Sequence, residues 1–149
     1  MKNVRGFTLV EVMVTLVVLA IVLSFAVPSF NTLLQDNRMT TRANDVVIAL
    51  NLARSEAIKR GADATVTATG GDWNNGWTVA AGGADLRIFP ATAGTVTITG
   101  SIPAITYRGS GMATQLTVTV CDSGRTGETG RQITVAATGR LAMGNFVCD

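Results

Sequence analysis

Histidine is absent from this 149-residue chain, which removes much familiar chemistry at once. Neither a Ser-His nor a Cys-His catalytic pair can be assembled. With only two cysteines, a soft metal site lacks a third ligand. The few carboxylates are scattered and adjoin no general-base partner. The glycines between Gly124 and Gly130 lack the Lys-Ser/Thr ending of a phosphate loop and read as a surface turn. Asp72, Asn74 and Gly76 lack the spacing and closing glutamate of a calcium loop. No enzymatic activity, cofactor or metal is expected. Charge is also scarce, at 15% of residues with a formal net value of +2. Global attraction to nucleic acid or anionic lipid is therefore not implied.

What the chain does have is a long uncharged start. Lys2 and Arg5 lead to Gly6, followed by Phe7-Thr8-Leu9-Val10-Glu11, and residues 12–35 carry no charge. That run can cross a hydrocarbon core of ~30 Å at ~1.5 Å per helical residue. The basic residues precede it, so the positive-inside rule keeps the N-terminus cytoplasmic and sends the remainder across the membrane. An ordinary secretory signal is the competing reading, with small residues around Ser24-Phe25-Ala26. Against it stand the length of the apolar run and Glu11. A lone carboxylate at the head of a membrane helix is costly and asks for a reason.

The segment strongly resembles the class III signal of type IV pilins and type II secretion pseudopilins. The resemblance implies cleavage by a prepilin peptidase between Gly6 and Phe7, then N-methylation of Phe7. It makes Glu11 the acidic residue of filament assembly, pairing with the amine of a neighbouring subunit. It also makes Pro28 the proline that kinks the helix. Without Lys2 and Arg5 the remaining ten basic side chains balance ten acidic ones.

Beyond Pro28 a helical pattern continues. Val46, Val47, Leu50, Ala53, Ala57 and Ile58 recur at three- and four-residue steps. Arg54, Lys59 and Arg60 then lead to Gly61, a helix stop. The pattern predicts a nearly continuous helix from Phe7 to about Arg60, roughly 80 Å long. Its first half is apolar all round, and its second half has one apolar face that needs a sheet to cover it. Threonine-, valine- and isoleucine-rich runs separated by glycine turns predict strands over 64–69, 77–80, 86–89, 95–99, 105–108, 115–121 and 131–137. Trp73 and Trp77 flank a hairpin turn and read as packing residues.

The expected fold is α+β: a type IV pilin-like long N-terminal helix packed on an antiparallel β-sheet. The expected organisation is a leader over 1–6, a transmembrane and filament-core helix over 7–30, and a periplasmic globular domain over 31–149. Cys121 and Cys148 both fall in the part expected to reach an oxidising compartment, where a disulfide is the default.

Further matches run through Arg54-Ser55-Glu56-Ala57-Ile58, Gly76-Trp77, Leu86-Arg87, Cys121-Asp122, Gly130-Arg131-Gln132-Ile133 and Gly139-Arg140. They resemble the branch joining FimT/FimU-type minor pilins with GspH-type minor pseudopilins. That implies a low-abundance subunit helping to initiate or cap a type IV pilus, anchored by a single pass in the inner membrane before assembly. Its implied partners are prepilin peptidase and other minor and major pilins. The alternatives are a type II secretion pseudopilin, with pseudopilins as partners, or a DNA-binding minor pilin for natural transformation. Some FimT-type members use a Gly-Arg-x-Arg pattern for DNA. Here Gly139-Arg140-Leu141-Ala142 lacks the second arginine, leaving Arg125, Arg131 and Arg140 as a possible DNA-contact patch.

Overall fold

The computed structural model describes residues 7–148 of the chain. One helix, α1 (Leu9–Arg60), precedes eight strands. The chain divides into two compact units, Met1–Asp36 and Asn37–Asp149.

Local chemistry sets both ends of α1. The Glu11 amide donates to Oγ1 of Thr8 at 3.3 Å, and the Val12 amide donates to the Thr8 carbonyl. Thr8 is thus an N-cap, with Glu11 at the third helical position, the spacing of a capping box. At the other end the Gly61 amide reaches the Ile58 carbonyl and the Ala62 amide reaches that of Ala57. That pair of bonds is the Schellman arrangement, satisfying two carbonyls the helix would leave orphaned. Pro28 lies inside α1, which continues through it as one element.

The unit from Asn37 onward carries two antiparallel sheets. The strands are β1 (Ala64–Ala68), β2 (Trp77–Ala81), β3 (Ala84–Phe89), β4 (Val96–Gly100), β5 (Ala104–Tyr107), β6 (Leu116–Asp122), β7 (Thr129–Val135) and β8 (Leu141–Val147). One sheet has the order β3-β2-β1-β5 and the other β4-β6-β7-β8. All seven expected strands are present with ends shifted by a residue or two. Two corrections are needed: the single expected sheet is two, and β8 was not foreseen. Leu-Ala-Met-Gly-Asn-Phe-Val does not alternate cleanly in polarity and has a glycine at its centre, so period-2 reasoning passes over it.

Along β6, Leu116, Val118, Val120 and Asp122 are buried while the residues between them are partly exposed, the alternation expected of a strand with one covered face. Met39, Ala43, Val46, Leu50, Ala53 and Ala57 form the buried stripe of α1, and they share one core with the inner faces of both sheets. The stripe repeats every three or four residues, so it stays on one side of the helix. Alanine at 43, 49, 53 and 57, fully buried, lets helix and strands approach closely. Two residues of the expected stripe are not in the buried set. Val47 packs at its margin, and Ile58 is 53% exposed because it has rotated past the covered face.

The tryptophans pack, as their spacing suggests. Trp77 stacks on Phe89 at 5.3 Å between ring centroids and meets Trp73 at 5.8 Å. The Trp73 indole donates to the Ile102 carbonyl at 2.9 Å, so its polar end is satisfied inside the core. The connection between β1 and β2 is a pair of 3-10 turns, not a tight hairpin. Asp72 accepts from the Asn74 amide, and Asn74 Oδ1 accepts from the Ile98 amide at 2.8 Å. This turn therefore ties the first sheet to strand β4 of the second.

Candidate processing and assembly site

The expected processing site begins at Gly6, which lies outside the described residues. Phe7 is the first described residue, and its side chain is 82% exposed. Glu11 follows one helical turn on, with its backbone already tied to Thr8. An amine created at Phe7 by cleavage would sit at a helix N-terminus, where the macrodipole disfavours a cation and favours a carboxylate. Glu11, at the third position of α1, supplies that carboxylate within the first helical turn.

The first half of α1 has an unusual surface. Leu9, Val10, Val12, Met13, Val14, Leu16, Val17, Val18, Leu19, Ile21, Val22, Leu23, Phe25 and Val27 are all exposed, so apolar side chains cover every side. A helix apolar all round requires a nonaqueous neighbour, either lipid or other protein. By length and composition this one can cross a membrane. The hydroxyl side chains that follow Glu11 in this stretch are satisfied within the helix. Thr15 donates to the Val12 carbonyl at 2.8 Å, Ser24 to Ile21 at 2.7 Å, Ser29 to Phe25 at 3.2 Å and Thr32 to Pro28 at 3.2 Å. Hydrocarbon offers no hydrogen bonds, so internal satisfaction is what it requires. Pro28 brings no amide, so the Ser24 carbonyl four residues back loses its usual donor.

The three candidate arginines of the second unit are in different situations. Arg125 is committed: its Nε lies 3.0 Å from Oδ2 of Asp122 and its Nη2 lies 2.7 Å from Oε2 of Glu128. Arg131, on β7, donates from Nη1 to Oδ1 of Asn145 at 2.9 Å. Arg140, immediately before β8, is exposed and rims an open groove of about 590 Å³ lined also by Ser101, Gln115, Thr117 and Thr134. Gly139 before it is in the left-handed region (φ 72°), with the Gly111 carbonyl where a side chain would start. The Gly-Arg dipeptide thus has a backbone reason for its glycine. Arg131 and Arg140 sit at opposite ends of the β7–β8 ladder, since Arg131 is opposite Asn145 while β8 starts opposite Val135.

The Asp122–Arg125–Glu128 cluster was missed from sequence, although acidic residues three positions either side of an arginine were its visible signal. Asp122 is buried, and burial by itself pushes its carboxyl up. Hydrogen bonds from the Thr95 side chain, the Gly124 amide and Arg125 outweigh that and hold it below the usual carboxylate value. The Asp122 amide donates to Oε1 of Glu128. Beside the cluster, Cys121 and Cys148 form the expected disulfide, with their Cα atoms 5.9 Å apart.

Residues 42–139 match the family model of the type II transport protein GspH. The chain belongs to the GspH family. Residues 1–27 match the prokaryotic N-terminal methylation motif, which implies processing by a prepilin peptidase. Among solved structures, this GspH-family chain is similar to the type IV minor pilin FimU of Pseudomonas aeruginosa in two crystal forms, at 26% identity in each. One has a TM-score of 0.60 and covers 70% of this chain and 91% of FimU. The other has a TM-score of 0.63, with coverages of 74% and 90%. The minor pseudopilin EpsH from the Type 2 Secretion System of Vibrio cholerae shares the fold at TM-score 0.55 and 17% identity, covering 72% of this chain and 97% of EpsH. No curated protein matches the chain. The GspH-family chain is thus a minor pilin or pseudopilin, a class of structural subunits that assemble with other pilins.

Proposed function

We propose that this chain is a minor type IV pilin that helps initiate or cap a pilus, cleaved between Gly6 and Phe7 and N-methylated on Phe7. The observation that carries the choice of machine is the likeness to FimU, which spans nine-tenths of that chain at 26% identity. EpsH, at 17%, speaks for the fold only. In this reading α1 first holds the subunit in the inner membrane, with the remainder of the chain periplasmic, and then enters the filament core. Glu11 pairs with the Phe7 amine of a neighbour and sets the axial register. An unpaired charge in that setting is expensive, so the pairing discriminates against misplacement.

The test is a count of surface pili in a clean deletion strain with a complemented control. Pili lost on deletion and restored by the intact gene support the reading. Normal pili with impaired protein secretion would move the subunit to a type II secretion pseudopilus.

DNA capture is the weaker reading. Arg125 is engaged by two carboxylates and Arg131 by Asn145, which leaves Arg140 as the candidate with an exposed cation. One phosphate contact gives weak, strongly salt-dependent binding. Binding at low salt that falls on Arg140→Ala would revive this reading.

A further inference from the structure

Between Met39 and Ile58 the exposed residues of α1 are Thr41, Asn44, Ile48, Asn51, Ser55 and Ile58. They fall at alternating three- and four-residue steps, so they share one face of the helix. At 3.6 residues per turn that face points away from the buried stripe of Met39, Ala43, Val46, Leu50, Ala53 and Ala57. None of the exposed residues is charged. A helix whose outer face meets only water normally carries its charges there.

The charges of this stretch lie to the sides instead. Arg42 pairs with Asp45 at 3.4 Å and reaches across to the Ala91 carbonyl at 3.0 Å. Glu56 is engaged by Lys59 and Arg60. Arg42, Asp45, Arg54 and Glu56 are all partly buried. The outermost face holds two isoleucines in their place, Ile48 at 43% exposed and Ile58 at 53%.

The polar members of the face are a poor choice for a solvated helix. Asparagine, serine and threonine are weaker helix formers than glutamate, lysine or arginine. Thr41 and Ser55 turn their hydroxyls back onto the Asn37 and Leu52 carbonyls, at 2.8 and 2.9 Å. Asn44 and Asn51 do not do this. With Asn37, also exposed, they form a ladder at seven-residue intervals. Among the described residues none of the three carboxamides has a hydrogen-bond partner. Each offers both donors and an acceptor to whatever lies alongside.

Seven residues is the repeat by which one helix follows another. In sequence the same steps run back through Leu34, Phe30, Val27 and Leu23 into the apolar half of α1. The stripe is thus continuous in pattern with the segment that already requires a nonaqueous neighbour.

We propose that this face docks against the parallel N-terminal helix of a neighbouring pilin subunit, with Asn37, Asn44 and Asn51 setting the axial offset. The proposal deepens the pilin reading and rests on it for the partner. Subunits anchored from one side of the membrane present helices that run the same way. The face offers no cation to nucleic acid and no counter-charge to an acidic or basic segment, so an uncharged helix is the occupant it suits. Carboxamides between apolar side chains weaken such a seam but fix its register. Their repeat corresponds to ~10.5 Å along the axis at ~1.5 Å per residue. An offset between those steps sets the partner's polar groups against Ile48 or Ile58.

The test uses the full-length chain in its own cells, with a photo-reactive benzoylphenylalanine at position 48 or 55. Adducts are expected on the N-terminal helix of another chain that carries the methylation motif. The contacted residue should advance by about seven from the first position to the second. The same group at position 16 probes the pilin reading itself, and at position 110, in an exposed turn, it reports background. Combining Asn44→Leu and Asn51→Leu should keep the adduct from position 48 but spread it over several residues of the partner. Asn44→Arg should cut recovery in sheared filaments by roughly tenfold or more, as a charge buried without a partner would. Ser110→Arg should leave recovery unchanged. Retention of the Cys121–Cys148 bond verifies folding in every variant.

Adducts from positions 48 and 55 confined to lipid, to non-pilin proteins or to a partner's β-domain would overturn the proposal while position 16 still found pilins. So would no adduct at either position, or Asn44→Arg recovered as fully as Ser110→Arg. A single unmoved contact in the double variant would overturn the role of the asparagines. If position 16 reached no pilin, the pilin reading would fall and the proposal with it.

Discussion

Gly130 lies directly against the sulfur of Cys148: a Cβ at that position would overlap Sγ of Cys148 and the Val120 carbonyl oxygen, with Sγ of Cys121 at 3.1 Å. The disulfide is laid across the backbone of β7, and only a residue without a side chain leaves room for it. Gly130→Ala should therefore cost about 1–3 kcal/mol as an overpacking change, together with incomplete oxidation of the Cys121–Cys148 pair. Thermal unfolding with a free-thiol count checks both. A variant that melts normally with no free thiol would show that the strand accommodates the methyl group.

The closed loop itself carries a second expectation. Cys121 and Cys148 are 27 residues apart, for which the loop-entropy model gives roughly 3–4 kcal/mol of stabilisation. At ~4–8 °C per kcal/mol for a domain of about this size, reduction should lower the melting temperature by roughly 10–30 °C. Loss of hydrogen-exchange protection should appear first in β8, whose end the bond pins to β6. A reduced protein with the oxidised melting temperature would make the bond irrelevant to stability.

The elements legible in sequence were those governed by local period and local chemistry. The apolar start of α1, its Gly61 stop and seven strands announce themselves through spacing, and Cys121 and Cys148 through their compartment. Three features were not legible, because each depends on contacts distant along the chain. β8 is a strand because β7 and the disulfide hold it, not because its own pattern alternates. Two sheets form in place of one because β5 pairs with β1 while β4 pairs with β6. Arg125 reads as a free cation until the turn brings Asp122 and Glu128 to it. Of the assembly segment, the residue types were plain, and the Thr8 cap on Glu11 was present as a capping-box spacing that had not been used.

Asp122 should give the protein an acid-sensitive limb. Its carboxyl is held below the usual value, so near pH 4 the unfolded chain binds the proton more readily than the folded one. The stabilisation is complete above the unfolded carboxylate value of ~4 and is lost as pH falls through the lower folded value. Asp122→Asn should cost about 1–3 kcal/mol at neutral pH and flatten the acid limb of a stability profile. Parallel profiles for both proteins would remove Asp122 from the acid transition.

Tyr107 is the single tyrosine of the chain, which makes its phenolate absorbance a clean report. Burial pushes its hydroxyl up to about 12, against a smaller opposing influence from Arg54. Below the ordinary value of ~10 both states hold the proton. Above it the unfolded chain ionises first, so stability should fall as pH rises from about 10 towards 12. Phenolate should appear near pH 12 in the folded protein and near pH 10 in denaturant. Ionisation near pH 10 without unfolding would show that the ring is open to water.

Glu11 carries the prediction closest to assembly. Its backbone amide, not its carboxylate, makes the bond to Thr8, so Glu11→Ala keeps the helix cap while removing the charge. Membrane insertion should survive, since a carboxylate at the head of an apolar helix is a cost there. Incorporation into filaments should not, because the Phe7 amine of the neighbour would be left buried and unpaired. Glu11→Gln keeps the size and hydrogen-bonding capacity but not the charge, and it should fail in the same way if charge pairing sets the register. Thr8→Val removes the cap and keeps the charge, and it should retain most incorporation. Immunoblots of sheared filaments against the membrane pool read all three variants. Equal recovery of Glu11→Ala and the unmodified protein in the sheared fraction would end the register role. A Thr8→Val loss as deep as that of Glu11→Ala would instead place the requirement on helix capping.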